Sequence, residues 1–256
     1  MNKLWNKLLI LHQIIKNKYT LIESTRINGM MQMEEITFIT EDGVEIAGNY
    51  FEPEKEHSPV FLLLHMMPST KESWNSFASL LHDNGFAVLA IDLRGHGKSI
   101  DKNGIRLDYK EFKDPQHRES MKDIAAAKEF LAGKKDVDIS RMAIAGASIG
   151  ANLALWQASL DENVRLLILL SAGLNYRGIQ AAQLAPEYCG PVYMLASEGD
   201  TNAANSSRQL LDYFPGDKKL EIINGNSHGT DMFLSESGIM DKLVAWAILK
   251  MKLCIF

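Results

Sequence analysis

A strand–turn–helix segment centred on Ser148 constrains the fold of this chain more than any other feature. The apolar run Met142–Ala145 predicts a buried strand, Ala151–Ser159 predicts a helix, and a G-x-S-x-G pattern at residues 146–150 joins them. This pattern accompanies a turn so sharp that only small flanking residues let the strand and the helix approach each other. We therefore expect the Ser148 hydroxyl to project from the carboxyl end of a sheet strand, with the Ile149 N–H at the start of a helix.

Two polar segments downstream of Ser148 also follow predicted strands. Val192–Ala196 predicts a buried strand that runs out towards Asp200. Leu220–Ile223 predicts a last strand, and a loop with His228 follows it. Open α/β sheets place their sites at the carboxyl ends of strands. A serine hydroxyl needs a base to remove its proton, imidazole is such a base near neutral pH, and a carboxylate fixes the imidazole tautomer. The three side chains are therefore candidates for a catalytic triad.

Two further segments extend the pattern around Ser148. They are Leu62–Pro68 after the third predicted strand and Asp92–Ser99 after the fourth, the latter similar to a D-x-R-G-x-G-x-S stretch. With these residues the chain resembles the α/β hydrolases of the dienelactone-hydrolase-like or esterase-like kind over roughly residues 35–250. The chain order Ser, Asp, His is also that of α/β hydrolases and not of the chymotrypsin or subtilisin folds.

The residues after the third predicted strand contain one departure from that family. The resemblance implies that the backbone N–H groups of Met67 and Ile149 form an oxyanion hole. Where the family usually has His-Gly, this chain has His65 followed by Met66. The methionine removes conformational freedom beside the hole and adds a flexible apolar side chain. We expect Met66 and Met67 to be substrate-binding residues that narrow the space for an acyl group.

Other acidic and histidine side chains compete with these candidates. Glu198 remains an alternative acid, whereas the resemblance places the acid at Asp200. By resemblance Asp92 belongs to an architectural turn, and Asp231 is expected to cap the segment after His228. The remaining histidines are expected to be structural (His65 and His96) or solvated (His12, His57, His82 and His117).

From residue 35 onward the predicted strands and helices alternate. This pattern predicts a single domain over residues 35–256, with a mostly parallel, doubly wound sheet and an N-terminal antiparallel hairpin. The resemblance implies an α/β-hydrolase domain, and we expect no large cap domain because the gap between Leu170 and Val192 has room only for a crossover helix. The remaining predicted strands are Glu35–Thr40, Val44–Phe51, Val60–His65, Ala87–Asp92 and Leu166–Leu170. The remaining predicted helices are Ser73–Asn84, Glu119–Ala132, Tyr176–Leu184, Ala203–Tyr213 and Ser237–Lys250. Residues 95–117 are expected to form a polar surface connection.

Residues 1–34 are predicted to be an extension outside that domain. Apolar residues recur there at helical spacing among lysines, which predicts a basic amphipathic helix: Leu4, Leu8, Leu11 and Ile15. A signal peptide would need a longer apolar centre and a small-residue cleavage site. Three interpretations stay open: a surface helix or loose extension, a weak membrane-surface contact through residues 1–18, or a true start near Met30, Met31 or Met33.

Charge and cysteine content bear on the partners of the chain. The formal net charge is −5 and no basic patch stands out, which argues against nucleic acid. Cys189 and Cys254 lack metal-ligand spacing, so we expect no metal site and no disulfide framework. No run approaches the ~20 apolar residues of a transmembrane helix, and a cytoplasmic location is expected. The oligomeric state stays open.

These features together predict a serine hydrolase that cleaves a small-molecule carboxylic ester or thioester through an acyl-enzyme intermediate. No cofactor is implied. Dehalogenase and epoxide hydrolase chemistry on this fold uses an aspartate nucleophile, so Ser148 argues against both. Two alternatives stay open: an acyltransferase that uses the same triad, and a non-catalytic ligand-binding or scaffold protein of the same fold.

Overall fold

A ten-stranded sheet forms the centre of the computed structural model, which describes residues 33–253. The strands, including a separate two-stranded hairpin (β9 and β10), are β1 (Met33–Ile39), β2 (Val44–Phe51), β3 (Ser58–Leu64), β4 (Ala87–Ile91), β5 (Asp101–Lys102), β6 (Ile105–Arg106), β7 (Val137–Ala147), β8 (Val164–Leu170), β9 (Asn175–Tyr176), β10 (Ile179–Gln180), β11 (Val192–Ser197) and β12 (Lys218–Ile223). In the large sheet the order is β12-β11-β8-β7-β3-β4-β2-β5-β6, and β1 pairs with β2. The predicted antiparallel hairpin therefore leads the sheet.

The helices of the described chain connect these strands. They are α1 (Asn75–Asp83), α2 (Asp114–Arg118), α3 (Met121–Ala132), α4 (Ile149–Leu160), α5 (Ala181–Leu184), α6 (Thr201–Tyr213), α7 (Met232–Ser235) and α8 (Ile239–Leu253). Short 3₁₀ helices lie at Lys71–Trp74, Tyr109–Glu111, Ala185–Glu187 and Gly229–Asp231.

Strands β3, β4, β7, β8, β11 and β12 run parallel to one another, so their carboxyl ends meet at one edge of the sheet, whereas β2 runs antiparallel to β4. The chain runs from β3 outward to β4 and then returns to the other side of β3 to form β7. The strand order therefore reverses between β3 and β7. Ligand sites of open α/β sheets lie in the crevice beyond the carboxyl ends at such a point.

Alternation along the buried strands divides the core into two clusters. On β3, Leu62 and Leu64 belong to one cluster, whereas Phe61 and Leu63 belong to the other. Successive side chains of a strand point to opposite faces, so an all-apolar strand is covered on both sides. Helices α3 and α4 contribute to the first cluster, and α1 and α8 contribute to the second. The doubly wound α/β architecture predicted from the sequence is confirmed.

Two connections differ from the sequence prediction. Most of residues 95–117 lie at the surface as expected, but the segment contains β5, β6 and the start of α2, and His117 is buried beside Phe112 instead of solvated. The helix predicted at Tyr176–Leu184 begins instead as the hairpin β9–β10. Its two turn residues, Arg177 and Gly178, have φ values of 51° and 76°. Positive φ at both central residues is typical of the type I′ turn of a two-residue hairpin, and a right-handed helix excludes it.

The hairpin β9–β10 is attached to the first turn of α4. The Asn152 side-chain amide donates to the carbonyls of Gly173 at 2.8 Å and Ile179 at 3.3 Å, and its oxygen accepts from the Gly173 N–H at 3.1 Å. Between β8 and β11 the described chain therefore holds a small, anchored hairpin, α5 and one short 3₁₀ helix.

Some features predicted for the two chain ends lie outside residues 33–253, which the structure describes. Met33 and Glu34 belong to β1, whereas the amphipathic helix predicted for residues 1–18 and Cys254 lie outside the described residues. Cys189 is exposed and free. Within residues 33–253, no helix combines the length and the apolar character that crossing a bilayer requires.

Candidate active site

The turn at residues 146–150, here called the Ser148 turn, joins β7 to α4. Ser148 itself has φ 54° and ψ −115°, a conformation that residues other than glycine rarely adopt. A Cβ on Gly146 would lie 2.1 Å from the Gly150 carbonyl oxygen, and one on Gly150 would lie 2.2 Å from the Leu64 carbonyl oxygen. Both glycines are therefore required by backbone-to-backbone packing, as the sequence pattern predicts.

Backbone hydrogen bonds attach Ser148 to the neighbouring strand and to its own helix. Its N–H donates to the carbonyl of Leu170, the last residue of β8, at 2.8 Å. Its carbonyl accepts from the N–H groups of Ala151 and Asn152 at 3.0 and 3.2 Å. The residue as a whole is 8% exposed. Hydrogen bonds to β8 and within α4 thus fix the backbone of this nearly buried serine.

The two candidate oxyanion donors have no hydrogen-bond acceptor among the residues that the structure describes. Within residues 33–253, neither the Met67 N–H nor the Ile149 N–H donates a hydrogen bond. Ile149 is the first residue of α4, where the helix dipole favours negative charge. Both N–H groups are therefore available to a ligand.

His65 controls the peptide that carries the Met67 N–H. Its Nδ1–H donates to the Met66 carbonyl at 2.8 Å, and its Nε2 accepts from the Leu93 N–H at 2.9 Å. The Ser69 N–H donates to the same Met66 carbonyl at 2.9 Å. In a trans peptide the C=O and the following N–H point in opposite directions, so these bonds turn the Met67 N–H away from His65. Complete burial lowers the pKa of His65 to about 4, which keeps it neutral and suits it to this structural role.

Asp92 supports the same loop from the end of β4. Its carboxylate accepts from the N–H groups of Lys71 at 2.8 Å and Lys98 at 2.9 Å, and from the Lys71 ammonium at 3.1 Å. Burial lowers the pKa of Lys71, but the Glu72 and Asp92 carboxylates outweigh burial and raise it above its usual value. The architectural role implied for Asp92 by resemblance agrees with these contacts.

Asp200 and His228 are in direct contact. The His228 Nδ1–H donates to the Asp200 carboxylate at 2.6 Å, across the ends of β11 and β12. The imidazole side chain is 41% exposed and the carboxylate 16%. Since Nδ1 carries the proton, Nε2 presents its lone pair to a partner. Glu198 instead lies on the surface in an ion pair with Arg208.

Residues 224–231, here called the histidine loop, rest on the loop after β3 and on β7. Gly229 has φ 55°, and a Cβ on it would lie 2.4 Å from Met66 Sδ and 3.2 Å from Ala147 Cβ. Gly229, which follows His228, thus lies next to Ala147, which precedes Ser148. No hydrogen bond joins Ser148 to His228 within residues 33–253. Met66 is buried beneath Gly229, whereas Met67 is half-buried and more accessible to a substrate.

One residue at this edge escaped the sequence analysis. Ser171 follows β8 directly, and its Oγ accepts a hydrogen bond from the Gly229 N–H at 2.9 Å. The available sequence signal was a serine at the carboxyl end of the apolar strand Val164–Leu170. Its partner lies 58 positions away in the chain, which no local pattern indicates.

A metal centre has no candidate ligands in the part of the chain that the structure describes. No group of three or more His, Cys, Asp or Glu side chains there could hold a metal ion. Among the described side chains at this edge of the sheet, Ser148, His228 and Asp200 offer a hydroxyl, an imidazole and a carboxylate.

Comparison with known proteins gives both sequence and structural matches. Residues 55–186, just over half of the chain, match the model of a family described as "Serine aminopeptidase, S33". A Mycobacterium tuberculosis protein (strain ATCC 25618 / H37Rv), named as uncharacterized protein Rv2307c, is 30% identical over 122 residues. That match covers 47% of this chain and 39% of the relative, so the chain matches well under half of the relative's length.

Two solved structures illustrate the structural similarity. Dienelactone hydrolase from Anabaena variabilis ATCC 29413 superposes with a TM-score of 0.65 at 20% identity, over 84% of this chain and 95% of that one. Acetyl xylan esterase from Paenibacillus sp. R4 gives 0.65 at 19% identity, over 82% of each chain. At this identity the two matches establish the α/β-hydrolase fold.

Proposed function

Since the chain belongs to the serine aminopeptidase S33 family of α/β hydrolases, we propose that it cleaves carboxylic esters or thioesters with Ser148, His228 and Asp200 as a catalytic triad. The observation that carries the proposal is the 2.6 Å hydrogen bond between His228 Nδ1 and Asp200, in a loop adjoining the strained Ser148 turn. That bond fixes the tautomer in which Nε2 can act as a base.

The proposed reaction proceeds through an acyl-enzyme. His228 Nε2 takes the hydroxyl proton as Ser148 Oγ attacks the carbonyl carbon, and the carbonyl oxygen becomes an oxyanion. The intermediate collapses as the imidazolium returns the proton to the leaving alcohol or thiol. Water then repeats the sequence on the acyl group, which leaves as the acid and restores Ser148. Asp200 stabilises the imidazolium in both halves of the reaction without itself being protonated.

The N–H groups of Met67 and Ile149 are the proposed oxyanion donors. Both lack partners within the described chain, and one begins α4. Donors that are already oriented need no rearrangement as charge develops, and each contributes about 3 kcal/mol to stabilising the transition state in enzymes of this kind. The bonds from His65 and Ser69 to the Met66 carbonyl hold one of the two donors in its orientation.

An ester or thioester is the substrate class that we favour. The two structural neighbours are named as a dienelactone hydrolase and an acetyl xylan esterase, that is, as enzymes of ester bonds. The family description names an aminopeptidase, which favours hydrolysis of an amino-terminal peptide bond as a second candidate. The same triad would serve either bond, because both reactions pass through an acyl-enzyme.

The proposal is tested with a fluorophosphonate probe and a substrate panel. The panel contains p-nitrophenyl esters, acyl-CoA thioesters and aminoacyl p-nitroanilides, applied to the parent, to Ser148→Ala and to the control Ser159→Ala at the far end of α4. We expect the parent and the control to be labelled and to hydrolyse esters, and Ser148→Ala to lose labelling and about 10³-fold or more of its turnover.

Each other outcome excludes the proposal in a different way. Faster anilide than ester cleavage would indicate the aminopeptidase. Labelling at Ser148 with acyl transfer to added alcohols or amines, but little hydrolysis, would indicate an acyltransferase. A folded parent that neither reacts with the probe nor cleaves any substrate would indicate a non-catalytic protein.

A further inference from the structure

Ser171 occupies a strained position at the active-site edge of the sheet. It directly follows β8, it is 3% exposed, and its φ is 51°. A left-handed conformation in a residue other than glycine, asparagine or aspartate is uncommon and energetically unfavourable. Such strain persists only where the surrounding contacts impose it, so the contacts of Ser171 are informative.

Those contacts connect Ser171 with the segments that carry all three proposed catalytic residues. Its N–H donates to the carbonyl of Leu195 in β11, the strand that leads to Asp200, at 2.8 Å. The carbonyl of the preceding residue, Leu170, accepts from the Ser148 N–H at 2.8 Å. Its side-chain Oγ accepts from the N–H of Gly229, which follows His228, at 2.9 Å.

The histidine loop has few other attachments to the body of the domain. Residues 224–226 are exposed and His228 is only half-buried. Besides the Asp200 contact, the Gly225 carbonyl accepts from the Gly199 N–H at 2.7 Å, and Gly229 packs on Met66 and Ala147. The bond to Ser171 Oγ is the buried polar attachment immediately beside the histidine. Without it the buried Gly229 N–H would lose its partner, which destabilises the local conformation.

We propose that Ser171 is a positioning residue whose Oγ, by accepting the Gly229 hydrogen bond, fixes the backbone of His228 opposite Ser148. The proposal rests on the proposed function for its effect on rate. Ser171 does not touch the reacting atoms. It acts through Gly229, and a misplacement of a catalytic group by about 1 Å can lower a rate about 10²-fold.

Two substitutions separate the hydroxyl of Ser171 from its backbone strain. Ser171→Ala removes Oγ and keeps a side chain at positive φ. Ser171→Gly removes Oγ and also relieves the strain, because glycine adopts this conformation readily. If only the backbone shape mattered, the glycine variant would be as active as the parent. If Oγ positions the loop, both variants lose activity.

Ser197→Ala is the matched control. Ser197 is fully buried at the end of the adjacent strand β11, and within residues 33–253 its Oγ has no hydrogen-bond partner. Its replacement removes a hydroxyl from the same layer of the molecule without breaking a described contact. We expect Ser197→Ala to retain the parental kcat.

Steady-state kinetics give the first readout. We expect kcat for the best ester of the panel to fall about 10- to 100-fold in both Ser171→Ala and Ser171→Gly, with KM within about threefold of the parent. A parental kcat in Ser171→Gly would overturn the proposal, as would a loss expressed in KM alone.

Hydrogen exchange gives a second readout that does not need activity. We expect the Gly229 amide proton to exchange at least about tenfold faster in both Ser171 variants than in the parent and in Ser197→Ala, because its hydrogen bond is lost. Unchanged protection of Gly229 would overturn the proposal. A parent without hydrolytic activity whose Gly229 protection still depends on Ser171 would contradict the proposed function and leave the positioning role of Ser171 standing.

Discussion

The Ser148 turn and the histidine loop bring the proposed nucleophile and base to the same edge of the sheet by different means. The Ser148 turn lies between two buried elements, and its glycines pack backbone against backbone. The histidine loop is largely exposed and depends on single polar contacts from distant segments, those of Asp200 and Ser171. Substitutions of the two turn glycines should therefore act mainly on stability, and substitutions around the loop mainly on rate.

The largest expected effect concerns the acid that contacts the histidine loop. Asp200→Asn should lower kcat about 10⁴-fold, because an amide cannot fix the His228 tautomer or stabilise the imidazolium. The free energy of unfolding should change little in comparison. The measurement is kcat on a p-nitrophenyl ester beside a urea unfolding curve for each protein.

Glu198→Gln is the control for that substitution. Glu198 is exposed and paired with Arg208, so its charge should contribute little to the reaction. Its kcat should stay within about threefold of the parent. The reverse order of the two effects would transfer the acid role to Glu198.

Substitution of a glycine in the Ser148 turn should lower the stability of the protein. Gly146→Ala places a Cβ 2.1 Å from the Gly150 carbonyl oxygen, and a backbone atom cannot move aside as a flexible side chain does. We expect a loss of about 3 kcal/mol in the free energy of unfolding, from overpacking that the surroundings cannot relieve.

Gly133→Ala serves as its control, since this glycine has φ −76° and an added Cβ would come no closer than 3.4 Å to a described atom. It should leave stability unchanged or slightly raised. Equal losses in the two variants would mean that close packing at the turn is not what requires glycine.

An intermediate effect is expected at His65, in the loop that follows β3. His65→Asn places an amide N–H near the position of Nδ1 and can still donate to the Met66 carbonyl. His65→Gln places its polar atoms near Nε2, which contacts Leu93 instead. We expect the glutamine variant to have a kcat about tenfold lower than the asparagine variant. Without the hydrogen bond to the Met66 carbonyl, the Met67 N–H is no longer held towards the oxyanion, which raises the activation free energy by on the order of 1–3 kcal/mol. Equal kcat values would exclude a role of His65 in orienting the Met67 N–H.

The smallest effect concerns the length of the acyl chain. Within the described chain, only the hairpin β9–β10, α5 and a short 3₁₀ helix lie between β8 and β11. Each methylene of the acyl chain contributes about 0.8 kcal/mol to the binding free energy only if it is buried. In an open site most of a long acyl chain would remain hydrated and would add little. We expect kcat/KM on p-nitrophenyl esters to be highest for acyl groups of about two to six carbons. A maximum at about twelve carbons or longer would require a buried apolar channel and would contradict an open site.

Agreement between sequence and structure is highest where the determining contacts are local. Val44–Phe51 was predicted with its observed ends, and the other long strands differ by a few residues, because alternating or continuous apolar runs mark them. The helix predicted over Tyr176–Leu184 was wrong in its first half. Arg177 adopts a positive φ, which arginine does not favour by itself. The hairpin that contains it is attached to Asn152, a contact that no local sequence pattern indicates. His117 was wrongly predicted to be solvated, because its burial depends on the packing of residues 109–118.

The sequence by itself determined the strand–turn–helix around Ser148 and the doubly wound sheet. Both follow from residue size and apolar periodicity within short windows, and the turn requires glycine at two positions because a Cβ there would overlap backbone atoms. Only the tertiary structure decided that Asp200 rather than Glu198 contacts His228, and that Ser171 holds Gly229. Of two carboxylates two positions apart, or of a serine and a partner 58 positions away, only groups brought within about 3.2 Å of each other form a hydrogen bond. Those distances are set by how strands remote in the chain pack side by side.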